Sequence, residues 1–384
     1  MQTVLLSANN NNLMMTKGLQ WSDMKYLTVL SIPFAVFSAL YIDGIGSYLV
    51  PVMNFIGIPL LDYLFPEIGK NETEQIYNEK KVHPFFDWLL YINVPLQYAL
   101  LFYTFSILTY SGLPLWILIG KVMSMGICCA VLGINTAHEL GHRKNKTERF
   151  LAKTLLLSSM YMHFIITHNR WHHHYVATPL DPATAKRRET VFHFLFRSVF
   201  GNYFLAWRLE KERLQKQGLQ AFSFSNEMVR FTIIQSAFLV LIYFIFDWQC
   251  VLWFILMAGI GITVLETINY VEHYGLSRQQ NEAGKFEKVR PWHSWNSDHI
   301  LGRIMLLELT RHSDHHYKAS RKYQTLRSVT NSPQLILGYP GSLVVSWIPP
   351  LWFKIMDKQL KDWEQQSEGI SQDYQFEYTE EEEG

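Results

Sequence analysis

Six apolar stretches, at 26–42, 47–65, 86–110, 113–136, 231–246 and 248–269, dominate this chain and fall in three pairs. Each approaches the roughly 20 residues that a helix needs to cross a bilayer. Within a pair the connector is short: Asp43-Gly44-Ile45-Gly46, Ser111-Gly112, and Asp247 alone. Long apolar runs without polar alternation satisfy their backbone groups in lipid as helices. The expected fold is therefore an all-α membrane protein, with six transmembrane helices in three hairpins and both termini on one side.

The short connectors carry no Lys or Arg, whereas the long ones do: Lys70, Lys80 and Lys81, then Arg143, Lys144, Lys146, Arg149, Lys186, Arg187 and Arg188. By the positive-inside rule, the long connectors and the termini face the cytoplasm, and an inner-membrane location follows. Lys121, inside the fourth stretch, is expected to snorkel to the outer interface. The further apolar stretch 150–166 is read as re-entrant or interface-hugging, because a crossing there would put His138 and His168 on opposite sides. Only 17% of residues are charged and 15% are Phe, Trp or Tyr, against roughly 25% charged in soluble domains. The net charge of +1 gives no field for nucleic acid. Residues 1–24 read as a mobile start without signal-peptide features and 25–363 as the membrane domain, with cytoplasmic segments 137–228 and 270–330. Residues 364–384 read as an acidic tail ending in the run Glu380 to Glu383.

Histidine is the outlier, with 15 residues in clusters. His138-Glu139-Leu140-Gly141-His142 follows the fourth stretch. His168 and His172-His173-His174 follow the interfacial one. His273 ends the sixth, and His312, His315 and His316 lie beyond it. Spacing i, i+4 puts two imidazoles on one helical face, so His138/His142, His168/His172 and His312 with His315 or His316 read as two-toothed claws. Imidazole suits iron, copper, zinc and nickel. With His273 and the adjacent His173 the set reaches nine, too many for one ion, so two metals are expected. His83, His163, His174, His193, His293 and His299 sit outside the claws. The first claw also matches the zinc-protease pattern H-E-x-x-H with Glu139 as base, but a protease leaves the other claws unexplained. The three cysteines form no C-x-x-C pair, so this chain encodes neither a rubredoxin-like iron site nor a zinc ribbon.

Metal-bound imidazoles commonly donate their other N–H to a carboxylate or carbonyl. Asn135, Glu139, Asp181, Glu266, Asn269, Asp298 and Asp314 are the candidates for such support. Glu266, inside a span, is costly without a partner and so reads as functional.

With these residues in view, the chain resembles the integral-membrane alkane 1-monooxygenases over roughly residues 60 to 363. The strings that carry the likeness are H-E-L-G-H-R at 138 to 143, V-A-T-P-L-D-P-A at 176 to 183, N-Y-V-E-H-Y-G-L at 269 to 276, R-H-S-D-H-H at 311 to 316 and R-K-Y-Q-T-L-R at 321 to 327. The resemblance implies a six-span fold holding two iron ions on nine ligands: His138, His142, His168, His172, His173, His273, His312, His315 and His316. It also implies O2 as co-substrate, electrons from rubredoxin and its reductase, and terminal hydroxylation of n-alkanes to primary alcohols. Trp171 stands where the family usually has Gly, and Thr167 where it has Glu; His174 and Tyr175 also depart from the pattern.

Phe55 and Leu132 are candidates for a substrate channel between spans. Arg143, Lys144, Lys146, Arg321 and Lys322 are candidates for docking an acidic electron carrier. Competing readings are a di-iron hydroxylase of methylarenes or terpenoids, a fatty-acyl desaturase, and a membrane metal transporter. Transporters place ligands at mid-membrane in broken helices, whereas these claws follow span ends.

Overall fold

The computed structural model describes residues 14–16, 18–65 and 69–373. Among the described residues six helices are long and apolar enough to cross a membrane: Trp21–Tyr41, Gly44–Leu64, Pro84–Tyr110, Leu115–Gly141, Glu227–Ile245 and Trp248–His273. All six expected stretches are there. The fourth and sixth helices run past their apolar stretches, so that His138 and His273 lie in the last turns of these helices. The described part of the expected mobile start forms a short β-hairpin, Met14–Thr16 with Leu19–Gln20, followed by the first span. The acidic run Glu380 to Glu383 lies outside the described residues.

Local chemistry sets the helix ends. The Asp247 carboxylate accepts from Cys250 N at 2.6 Å, so the one-residue connector between the last two spans is itself the cap of the sixth. Asn226 caps the fifth span in the same way through Met228 N, at 2.8 Å. The Lys121 ammonium reaches the short connector between the first two spans and is covered there. The residue is 1% exposed, with Nζ 2.5 Å from the Leu40 carbonyl and 3.1 Å from Asp43 Oδ1. The orphan carbonyls that end the first span, together with Asp43, satisfy the ammonium where it stands.

The fourth span is the central pillar and is mostly buried, while the second and fifth spans are largely exposed. Fourth and sixth spans pack closely through glycine. A Cβ on Gly261 would lie 2.9 Å from Cys129 Cβ, and one on Gly126 would lie 2.7 Å from Ile260. Small residues allow such approach where lipid supplies no hydrophobic drive, and this contact brings the ends bearing His138 and His273 together. The stretch 150–166 is broken: a helix at Lys146–Leu157 ends in turns, with Met160 at φ 52, before the short helix Phe164–Thr167.

Among the described residues three π-helical segments interrupt the α-helices, at Met53–Gly57, Cys129–Asn135 and His168–His172. Such bulges are rare and concentrate at functional sites. Two of the three directly precede or contain the expected claws.

Candidate metal centre

All nine histidines of the expected set converge, in two groups. His138, His142, His168, His173 and His315 form one; His172, His273, His312 and His316 form the other, with the ligand atoms of each group within 4.8 Å of one another. In the first group, Nε2 atoms are separated by 3.0 Å (His138–His315), 3.2 Å (His138–His142), 3.1 Å (His142–His168) and 3.0 Å (His168–His173). In the second, His312 Nε2 lies 3.2 Å from that of His273 and 2.9 Å from that of His316. Donors about 2.1 Å from one ion, at right angles, stand about 3 Å apart. The imidazole edges therefore suit a cation at the centre of each group.

The claws do not partition as i, i+4 spacing suggests. His168 and His172 belong to different groups, because the backbone between them is π-helical. In that register residue i+5, not i+4, returns to the same face, so His168 joins His173 and His172 turns to the other group. His315 likewise parts from His312 and His316. Each of these two segments thus contributes to both groups.

Burial, reinforced by neighbouring imidazoles, holds His168, His173, His312, His315 and His316 well below the ordinary histidine range. The same causes bring His142 down to about 3. The rings are therefore neutral at physiological pH, the form that binds metal.

Of the candidates for support, Asp181 bonds directly to an imidazole: its Oδ2 is 2.8 Å from His172 Nδ1 and also accepts from Thr184 Oγ1 at 2.7 Å. That leaves His172 Nε2, buried and without a hydrogen bond among the described residues, aimed at its group. Glu266 accepts from Tyr161 at 2.8 Å and from Ser198 at 2.5 Å, with Asn269 beside it. Glu139 takes Arg143 at 2.7 Å and Tyr323 N at 3.3 Å. Asn135 donates to the Leu306 carbonyl at 3.2 Å. Asp298 binds Arg311 at 3.1 Å, and Asp314 binds Arg321. These residues brace the segments around the groups.

Glu272 was not among those candidates. Its Oε2 is 3.3 Å from His312 Nε2, and its Oε1 is buried with no hydrogen bond among the described residues. The four-histidine group thus has a carboxylate at its edge. The only sequence signal is that Glu272 immediately precedes His273 at a span end.

A narrow apolar cavity of about 60 Å³ lies between the second, fourth and sixth spans and the helix Gly338–Ser346, lined in part by Phe55, Val131, Val264, Leu343 and Tyr339. A wider one of about 330 Å³ shares Phe55, Val264 and Leu343 with it and ends at Trp347. Leu132 is fully buried and lines neither. Tyr339, which lines the narrower cavity, has its hydroxyl beside Glu272 and donates to the Trp295 carbonyl at 2.8 Å, so this one side chain stands between the cavity and the second group's edge.

Of the expected docking cations, Arg143 pairs with Glu139, Lys322 with Asp87 at 2.7 Å, and Arg321 with Asp314. Lys144 and Lys146 are exposed. A surface depression of about 370 Å³ reaches His142 and is rimmed by Lys144, Arg149 and Arg170. Trp171 packs tilted against Tyr175 with ring centroids 4.1 Å apart and donates to the Leu180 carbonyl. The six histidines outside the claws join neither group.

A profile described as fatty acid desaturase matches residues 111–340. An alkane 1-monooxygenase of Ectopseudomonas oleovorans is 38% identical over 322 residues, covering 83% of this chain and 80% of that protein. One from Pseudomonas putida is 36% identical over 320 residues, covering 83% and 79%. The hydroxylase component of a Pseudomonas putida xylene/toluene monooxygenase is 27% identical over 348 residues, covering 84% and 90%. With its membrane-spanning helices and paired histidine groups, this chain belongs to the alkane 1-monooxygenases, membrane hydroxylases of the fatty acid desaturase family.

Proposed function

We propose that this enzyme converts n-alkanes to primary alcohols, using O2 and electrons from rubredoxin, at two iron ions held by the nine histidines. The observation that carries this reading is the pair of converging imidazole groups, together with an apolar cavity that ends at Tyr339, the residue beside Glu272 of the second group. Bound iron would supply the reduction of O2 and the oxidation of the C–H bond. Two electrons and two protons balance the reaction, one oxygen atom leaving as water and the other entering the alcohol.

The chain's own residues do the rest. His138, His142, His168, His173 and His315 would hold one ion; His172, His273, His312 and His316 would hold the other, with Glu272 at its edge. Asp181 fixes the ring of His172, so that Nε2 is the free donor. The cavity between Phe55, Val264 and Leu343 accepts an alkyl chain from the bilayer and excludes water. At its inner end Tyr339 is polar, giving a newly formed hydroxyl a hydrogen-bond partner that the alkane lacks. An acidic electron carrier docks over the depression that reaches His142, where Lys144 and Arg149 are exposed, with exposed Lys146 between them in sequence. The basic residues of the long connectors support a reading in which this face and both termini lie in the cytoplasm, at an inner membrane.

The test is product analysis. Membranes containing the protein receive rubredoxin, its reductase, NADH, isotopically labelled O2 and a mixture of n-alkanes. Labelled 1-alkanols are expected, with two irons per chain. A second reading, methyl hydroxylation of arenes, draws on the likeness to the xylene/toluene monooxygenase component. Labelled benzylic alcohols without alkanols would favour it.

A further inference from the structure

The longest helix between the fourth and fifth spans, Val191–Lys216, has two unlike halves. Between 191 and 207 its exposed residues are Phe192, His193, Phe196, Phe200, Tyr203 and Phe204. The phenylalanines recur at i, i+4, i+8 and i+12, one continuous ridge, and are 52%, 70%, 49% and 66% exposed. The one formally charged residue in this half, Arg197, turns back to Glu189 at 2.7 Å and to the carbonyls of Pro182 and Thr184 at 2.9 Å. From Arg208 onward the exposed face changes abruptly to Arg208, Lys211, Glu212, Gln215 and Lys216.

The ridge joins the membrane-spanning surface at both ends. Phe192 packs edge-on against Trp347 with ring centroids 5.5 Å apart, and Trp347 lines the wider apolar cavity beside Phe55 and Val264 of the second and sixth spans. Past Phe204, Trp207 stacks on exposed Phe222 at 5.8 Å, in the segment that leads into the fifth span.

From this continuity we propose that the 191–207 half of the helix lies in the plane of the bilayer, its phenylalanine ridge in the acyl region just beneath the headgroups. An aromatic face without charge, ending in a charged terminal segment, is what an in-plane interfacial helix requires. A protein partner would have to seat itself within the headgroup layer, because both ends of the ridge run into lipid-facing spans. The opposite face carries Ser198 and Asn202, and Ser198 donates to Glu266 at 2.5 Å. The bilayer surface and the sixth span therefore hold this helix between them.

Two measurements on the full chain in phospholipid nanodiscs test this. Unmodified protein is irradiated with a phospholipid bearing a diazirine near the ester end of its acyl chain, and adducts are mapped by mass spectrometry. Adducts on 192–204 and none on 208–216 are expected; an unlabelled ridge overturns the proposal. Nitroxides are then placed at Phe196→Cys, Phe200→Cys and Lys211→Cys, the three native cysteines being buried. Labels at 196 and 200 should collide with oxygen and not with a water-soluble nickel chelate, and the label at 211 should do the reverse. Equal chelate access at all three sites places the ridge in water. Protection from both reagents, with dipolar coupling between labels on separate chains, assigns the ridge to a second copy. Either result overturns the proposal.

Discussion

The Asp181 carboxylate and the His172 imidazole face each other at 2.8 Å, and both are buried. The contact fixes which nitrogen of His172 points to its group, and outer partners of this kind typically contribute 10–100-fold to metal affinity. Asp181→Ala is expected to lower iron retention against a chelator by about that factor, with loss from one ion's site before the other. Asp181→Asn, which keeps an acceptor, should fall between. Metal analysis after graded chelator exposure measures both; unchanged retention in Asp181→Ala would refute the role.

Glu272 makes the two groups chemically unequal. Mössbauer spectra of the iron-loaded enzyme should therefore show two distinct iron environments, and Glu272→Gln should shift one and leave the other in place. Identical spectra for wild type and variant would remove the carboxylate from the site.

Phe55 and Leu132 should separate cleanly. Phe55→Ala widens the shared wall of the two apolar cavities and is expected to shift product distribution toward longer alkanols. Leu132 lies fully buried in the fourth span, and Leu132→Ala should cost stability, about 2–5 kcal/mol for a core leucine truncation. Chain-length competition assays and thermal unfolding in one detergent distinguish the two effects.

Lys144→Glu combined with Arg149→Glu reverses charge on the rim of the depression that reaches His142. The KM for reduced rubredoxin is expected to rise severalfold and to lose most of its dependence on ionic strength, with kcat at saturation little changed. A KM that does not move would place electron entry elsewhere.

Acid stability should carry the mark of two carboxylates. Burial alone would raise Glu210, but hydrogen bonds from Arg213, Glu227 N and Arg170 outweigh it and hold the group at about 2. Glu308 is held at about 2 by Arg303 and Arg311 against the same burial. A carboxyl depressed in the folded state stabilises above its unfolded pKa, near 4.3, and loses that contribution as pH falls toward its folded value. Wild type should thus exceed Glu210→Gln in Tm at pH 6, and the gap should close as pH drops from about 4.3 toward about 2.

Much of this architecture was legible from composition and spacing. Six runs of apolar residues became six helices, and the nine histidines met where the fourth and sixth spans end. The partition between groups was not legible, because the i, i+4 rule presumes α-helix, and the backbone at His168–His172 is in π-register. Nor was the cavity, whose wall joins Phe55, Val264 and Leu343 from segments far apart in sequence. Lys144 and Lys322 look alike in a charge count. Only the fold spends Lys322 on Asp87 and leaves Lys144 at the surface.

The two segments 168–173 and 312–316 each reach into both histidine groups, and this has a consequence for assembly. On the proposed two-ion reading, the first ion to bind would hold in place backbone that also presents donors to the second, so that part of the entropic cost of the second site would be met beforehand. Loading should be cooperative, with half-filled enzyme scarce at limiting iron. A cell short of the metal would then hold two populations of this protein, complete and empty, in place of many crippled ones.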